Sequence, residues 1–423
     1  MDKIICSLED WDSILDYYRP NGSSKTWYIK ELRRLTRPLM WGDWDIFSQD
    51  GEMFPSDFYK GKVCPVYNKK IEYTPKDKIN KSNHIYIINI YNMSFFHENY
   101  DIGFTCISED YLNDVREGRS KILLMLILEG YSGSDGNHDL DIIEKWRIDS
   151  QLPENSIFYG TGNQLICGNH KGIVVKSILD FEAWNYKIYN DIVQYHPSEH
   201  KNLFLSYNRN PRPHRIYFTI LLMKENLLNR GLYSLGNVNY YNSETYIVDE
   251  TNSKEFEFLK VNTPLLIDSA PDLYYNLACD VTLQDYERTF ISIISETLMD
   301  RNTLFISEKT WKPIMVGHPF MILGNKNSLV FLKSLGYKTF DKWIDESYDL
   351  IDNEKERREA IIKELKKLSE LSINQLIEMR KEMNEICDYN QKHFYFLYQK
   401  KYGDDNINSE ISDLIDEIWQ SMR

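Results

Sequence analysis

No two cysteines stand close together in this chain. The six, Cys6, Cys64, Cys106, Cys167, Cys279 and Cys387, are scattered, with no C-x-x-C pair. Neither a structural zinc nor a disulfide framework is therefore expected, and reduced thiols fit a cytoplasmic location. Glycine and proline are also scarce, 19 and 13 in 423 residues, while 42% of the residues are hydrophobic. That composition excludes collagenous, low-complexity and broadly disordered chains. Long apolar runs are missing too: Ile122 to Leu128 and Ile216 to Met223 are among the longest, far short of the ~20 residues that span a bilayer. The opening Met1-Asp2-Lys3-Ile4-Ile5 has no basic segment before a long apolar core, so no signal peptide is expected. Finally, positive charge is in deficit. With 50 Lys and Arg against 64 Asp and Glu, the net charge is −14, and the molecule as a whole repels phosphate backbones and anionic lipid.

What is present is a soluble globular composition long enough for two or three domains. Residues 1–80 contain helical pieces and an irregular Trp/Pro/Gly-rich stretch at 38–55. From His84 onward, dense short apolar runs at 84–91, 102–107, 121–128, 156–159 and 172–175 read as strands buried on both faces. Helices are expected between them at 108–117, closed by Gly118, and at 138–149. Strand alternating with helix implies βα units and a parallel sheet. The segment 194–200, without apolar period and carrying Pro197, reads as a linker. A second α/β set follows, with strands at 202–208, 263–268, 290–294 and 319–323. Its helices are expected at 213–227, 308–316 and 328–335, the last closed by Gly336. From about 352 to 423 the pattern is helical: Ser372-Ile-Asn-Gln375 is a capping box, and Ile411, Leu414, Ile415, Ile418 and Trp419 share a helix face. Residues 341–423 hold 20 acidic and 13 basic side chains, a net −7 that is half of the total excess, and read as a solvated helical surface.

Two stretches carry the chemistry. In the first, a strand runs into Glu296 and a polar loop leads to Ser307-Glu308-Lys309 at a helix start. Ser307 is placed to cap the helix, so free amides and the positive dipole end would face outward beside Lys309, as in phosphate sites. Glu308 could accept hydrogen bonds from ribose hydroxyls. The plain structural alternative is a capped surface helix with an ordinary Glu–Lys pair. In the second stretch, Arg209, Arg212, His214 and Arg215 follow the strand that ends in Ser206-Tyr207-Asn208. Ligands of open α/β sheets bind at strand carboxyl ends, and Arg forks can bond two oxygens of a diphosphate.

Together, Ser206-x-Asn208 with Arg215, then Glu296, then Ser307-Glu308-Lys309, then Gly317-x-Pro-Phe-x-x-x-Gly324 resemble the donor-binding half of GT-B glycosyltransferases. The nearest resemblance is to the α1,3-fucosyltransferase family, more loosely to exostosin-like enzymes, and to phage- and virus-encoded glycosyltransferase-like proteins. The latter similarly continue into segments like Gly336-Tyr-Lys-Thr-Phe340 and Asp345-Glu-Ser-Tyr-Asp349. The resemblance covers residues 200–350. It implies that Arg215 and Lys309 neutralise a diphosphate, that Glu308 holds the ribose, that Glu296 shapes the donor pocket, and that Ser206, Asn208, Arg209 and Ser307 line it. The loop Asn208-Arg-Asn-Pro-Arg-Pro213 is longer than the family's, and no E-N-S form surrounds Glu296, so fucose itself is not implied.

Such a transferase needs a general base, and Glu129 is the candidate: it ends the strongest apolar strand of the first half and precedes the glycine-rich loop 132–136. Asp135 and Asp139 are weaker candidates. Asp139-Leu-Asp141 has the D-x-D form of a metal motif but opens a helix, which makes it a helix start, and no metal is expected. Tyr159-Gly-Thr-Gly-Asn163 lacks the third glycine of G-x-G-x-x-G, because Leu165 stands there, so no nicotinamide cofactor is expected; the chain also has no P-loop.

The expected architecture is α/β, two Rossmann-like domains facing across a cleft (GT-B type), 1–195 on the acceptor side and 200–350 binding the nucleotide-sugar, with a helical extension at 351–423. The expected activity is inverting, metal-independent transfer of a sugar from a nucleotide diphosphate to a glycan or other hydroxyl acceptor, with no cofactor. One alternative is a non-catalytic nucleotide-sugar or glycan-binding module; another is a viral enzyme glycosylating DNA bases, which the acidic charge disfavours.

Overall fold

The computed structural model describes residues 4–7, 71–73, 83–89, 109–126, 138–179, 201–241, 253–265, 267, 281–299, 303–402 and 409–423. The expected strand at 102–107, the linker at 194–200, the irregular stretch at 38–55, the loop 132–136, Asp135 and Glu129 lie outside these residues. The described part is mixed α/β, with two separate sheets.

The chain divides into two units, one formed by Met1–Asp180 and Gln399–Arg423, the other by Phe181–Tyr398. In the first, strands β1 (Ile4–Ser7), β2 (Ile71–Tyr73), β3 (His84–Asn89), β4 (Ser120–Leu126), β5 (Ile157–Thr161), β6 (Gly168–His170) and β7 (Ile173–Ser177) form a sheet of order β2-β1-β3-β4-β5-β7-β6. All neighbours are parallel except the β6–β7 hairpin. Parallel strands need covered faces. On one face, helices α1 (Glu109–Arg116) and α2 (His138–Asp149) pack Tyr111, Leu112, Val115, Ile143 and Trp146 onto Tyr86, Ile122, Leu124 and Tyr159. Gly118 adopts φ +77°, as its reading as a helix-closing glycine requires. Asp139 and Asp141 lie in the first turn of α2, and Asp141 pairs with Lys171 at 3.1 Å.

In the second unit, strands β8 (Asn202–Ser206), β9 (Gly231–Tyr233), β10 (Thr289–Ser295) and β11 (Phe320–Leu323) form an all-parallel sheet of order β11-β10-β8-β9. The helices among them are α3 (Pro213–Lys224), α4 (Lys254–Asn262), α5 (Leu283–Glu287), α6 (Glu308–Met315) and α7 (Ser328–Ser334). From β8 the chain winds to β9 on one side, then returns to place β10 and β11 on the other. The two central strands, β8 and β10, are therefore where the direction of winding reverses. Apolar density explains their position: every residue of β10, and all of β8 after Asn202, is buried.

One expected strand is corrected. Of residues 263–268, 263–265 and 267 are described, and among them no sheet strand forms; only Leu265 makes an isolated antiparallel bridge, to Leu235. Thr263 instead ends α4, its hydroxyl donating to Leu259 O (2.7 Å) and accepting from Val238 N. The neighbour of β8 is β9, only three residues long and opened by glycine, too short for a periodic signal.

Beyond the second sheet come α8 (Glu354–Ser369), α9 (Ile373–Tyr402) and α10 (Ser409–Gln420). The capping box at the start of α9 is formed, with Gln375 N donating to Ser372 Oγ and Ser372 N to Gln375 Oε1. Ile411, Leu414, Ile415 and Ile418 of α10 are buried against Ile85, Leu123, Met125 and Phe158, the opposite face of the first sheet from α1 and α2. Polar ties fix this docking: Asn83 Nδ2 donates to Met422 O (3.0 Å), Leu179 N to Glu410 Oε2 (2.9 Å), and Lys176 pairs with Glu417 at 2.8 Å.

The segments 336–340 and 345–349 form a clasp. Gly336 follows α7 at φ +92°. Phe340 N and Thr339 Oγ1 each donate to Glu346 at 2.7 Å, the amides of Leu329 and Val330 donate to Asp349, and Ile322 N of β11 donates to the Tyr348 hydroxyl. These side chains are spent on caps and strand contacts within the second unit.

Candidate functional site

The carboxyl ends of β8 and β10 lie side by side, since β8 and β10 pair in parallel with Leu205 opposite Ser292. The turn after each strand, together with the start of α6, assembles the residues that the sequence singled out.

Glu296 follows β10 and is fully buried. A buried carboxylate is costly unless donors surround it. Here Ser307 N (3.2 Å) and Oγ (2.5 Å), Thr310 Oγ1 (2.5 Å) and Thr297 N (3.2 Å) all donate to it. Burial pushes its carboxyl above the usual range, against the opposing pull of Lys309 and these hydrogen bonds. Gly324 makes room for it, because a Cβ there would stand 3.2 Å from Glu296 Cβ. Glu296 thus fixes Ser307, and Ser307 caps α6 by accepting from Lys309 N.

Lys309 leaves the first turn of α6 with 27% of its side chain exposed. Its ammonium donates to Glu308 Oε1 (2.5 Å), Thr297 Oγ1 (3.2 Å) and Ser307 Oγ (3.3 Å). Burial raises the Glu308 carboxyl, but the Lys309 charge and hydrogen bond, Lys312 and the residue's own amide outweigh it and leave the group below its usual range.

The loop after β8 supplies the other cations. Arg212 donates to Thr297 O at 2.8 Å. Arg215, on α3 and 2% exposed, donates through one terminal nitrogen to Asn210 O (2.9 Å) and through the other to Ser295 O and Glu296 O (3.0 Å each). Burial first, then neighbouring Arg212, lowers its pKa to about 10, so it stays charged at neutral pH. Its Nε has no hydrogen-bond partner among the described residues, and neither has Asn208 Oδ1; both side chains are buried. Asn208 Nδ2 donates to Ser206 Oγ and its amide to Ser234 Oγ, each at 3.0 Å. His214 Nε2 lies 3.1 Å from Glu296 O; burial and the nearby Arg215 and Arg212 push its pKa well down, so the neutral ring donates to that carbonyl. Arg209 is half-buried, and its carbonyl abuts Gly236, where a Cβ would come within 1.8 Å.

The structure therefore brings Ser206, Asn208, Arg209, Arg215, Glu296, Ser307, Glu308 and Lys309 to one end of one sheet. Arg215 differs from the role implied for it, because both its terminal nitrogens are engaged by backbone carbonyls; it braces the loop after β10 and adds charge. Thr297 and Thr310 were missed. Their only sequence signal is a hydroxyl directly after the strand-end acid and another in the first turn of α6. Among the described residues, no group of three or more His, Cys, Asp or Glu side chains is arranged to hold a metal ion, and no helix is long and apolar enough to cross a membrane. Compared with family models, curated proteins and solved structures, the chain matches none.

Proposed function

We propose that the chain is a glycosyltransferase of the GT-B type, built on two Rossmann-like domains, which moves a sugar from a nucleotide diphosphate donor to a hydroxyl acceptor with inversion. The observation that carries the reading is the charge at the reversal point of the second sheet. Arg212, Arg215, Lys309 and Lys312 gather there against Glu296 and Glu308, in a molecule whose net charge is −14. Concentrated positive charge at parallel strand ends, beside a capped helix N-terminus, favours an anion with the geometry of a diphosphate. The buried Arg215 Nε and Asn208 Oδ1, without a hydrogen-bond partner among the described residues, add one donor and one acceptor that a bound ligand would satisfy.

In this mechanism the acceptor oxygen attacks the anomeric carbon as the bond from that carbon to the diphosphate oxygen breaks. The bonding electrons leave with the diphosphate, whose charge Lys309 and Arg212 meet. The acceptor proton passes to a carboxylate base, for which Glu129 remains the candidate.

A thermal-shift screen with UDP, GDP, CDP, ADP and dTDP, with and without divalent metal, tests the reading. A nucleotide at a hundred times its Kd adds about 2.7 kcal/mol of stability, and Lys309→Ala should lower the affinity about tenfold. Absence of a shift with every nucleotide would remove the donor reading.

A further inference from the structure

An ammonium has three hydrogens to donate. Those of Lys309 are all committed, to Glu308 Oε1, Thr297 Oγ1 and Ser307 Oγ. An anion can reach this cation only by displacing one of the three. Thr297 is 7% exposed and has its amide and carbonyl fixed by Glu296 and Arg212, and Ser307 is fully buried and held by Glu296. Glu308 differs from both. Its carboxylate is attracted by Lys309 and Lys312 and bonded by its own amide, but 13% of the side chain is exposed, and it carries the same charge as the ligand it would yield to. Its place, on the first residue of an eight-residue helix beside a lysine, is where a bound phosphate would gain most from the dipole. Arg215 Nε and Asn208 Oδ1, without a hydrogen-bond partner among the described residues and on side chains more than nine-tenths buried, point independently to a ligand at these strand ends.

We infer that Glu308 is an internal competitor: in the ligand-free chain it fills the anion position on Lys309, and the donor diphosphate displaces it on binding. The inference rests on the donor reading above and adds an exchange step to it. The carboxylate released from Lys309 then becomes available to donor hydroxyls, so one side chain serves in turn as stand-in anion and as hydrogen-bond acceptor.

Inorganic pyrophosphate tests the exchange, because it has no ribose. Titration calorimetry on the full chain should show Glu308→Gln binding pyrophosphate about fivefold more tightly than the wild type, the size of a partly exposed ion pair. In a Lys309→Met background the same substitution should change the affinity by less than about 1.5-fold, since the competed cation is gone. Circular dichroism checks that each variant folds. Should Glu308→Gln not fold, Glu308→Asp, which keeps the charge but is one methylene shorter, should give a smaller gain of the same sign. Equal or weaker binding by the Glu308 variants overturns the inference and leaves the donor reading standing. An undiminished gain in the Lys309→Met background also overturns it, because Glu308 would then act only as a distant repelling charge. Failure of the wild type and of every variant to bind pyrophosphate or any nucleotide overturns both.

Discussion

His214 shows how a single buried side chain couples this site to pH. It is 5% exposed, donates to Glu296 O and faces Arg215, Arg212 and Arg358, so its folded-state pKa lies well below the ordinary 6.5. In the unfolded chain the same imidazole takes up a proton near 6.5. Between the two values the unfolded state binds more protons, so the stability that neutral His214 contributes is complete above pH 6.5 and drains away as the pH falls below it. Urea unfolding at pH 7 and pH 5 should show the wild type losing more stability than His214→Gln, by about 1.4 kcal/mol per pH unit inside that window. At this scale the sequence was informative about residue type and position: a Ser before Glu-Lys reads as a cap, and Ser307 is one. It could not show which partner each cation takes. Arg215 bonds carbonyls some 80 positions away in the chain, and only tertiary packing brings Ser295 and Glu296 beside it.

At the scale of elements, the site is held by close passage of one strand-end loop over another. Gly236 N donates to Asn208 O at 3.0 Å, and the Gly236 α-carbon lies against the carbonyl of Arg209. A methyl group there must push the loop after β9 away from the loop after β8. Gly236→Ala should cost about 1 to 3 kcal/mol in denaturant unfolding and weaken the proposed nucleotide binding in step, because Asn208 and Arg209 move together. Gly118→Ala serves as comparison: its Cβ would meet nothing within 4 Å, so only the backbone penalty of φ +77° remains, about 1 kcal/mol. Long apolar strands and capped helices were legible because burial on both faces and N-cap chemistry are local signals. The strand β9 was not, since Gly231-Leu-Tyr233 is short and its glycine is required by the ring of Phe204, 2.4 Å from where a Cβ would sit. The described residues of 263–268 carried apolar density without sheet pairing, as Leu265 makes only an isolated bridge to Leu235.

At the scale of the whole molecule, the first unit is made from two distant pieces of chain. Among the described residues, one face of its sheet is covered by α1 and α2 and the other by α10, whose four isoleucine and leucine side chains are buried on Ile85, Leu123, Met125 and Phe158. Residues 1–180 expressed alone should therefore show exposed apolar surface by dye binding and a broadened unfolding transition. Supplying 399–423 on the same chain through a short linker should restore a cooperative one. Unchanged cooperativity in the 1–180 fragment would show that α10 is dispensable for this sheet.

That discontinuity sets an order of events during synthesis. The strands of the first sheet leave the ribosome first, yet the helix that seals one of their faces emerges only after the entire second unit has been translated. At ordinary elongation rates of about 5 to 20 residues per second, the apolar side chains that α10 packs against wait on the order of ten seconds or more for it. In that interval Ile85, Leu123 and Phe158 offer nascent-chain chaperones a binding surface, and the later-made unit is the first able to complete its own fold.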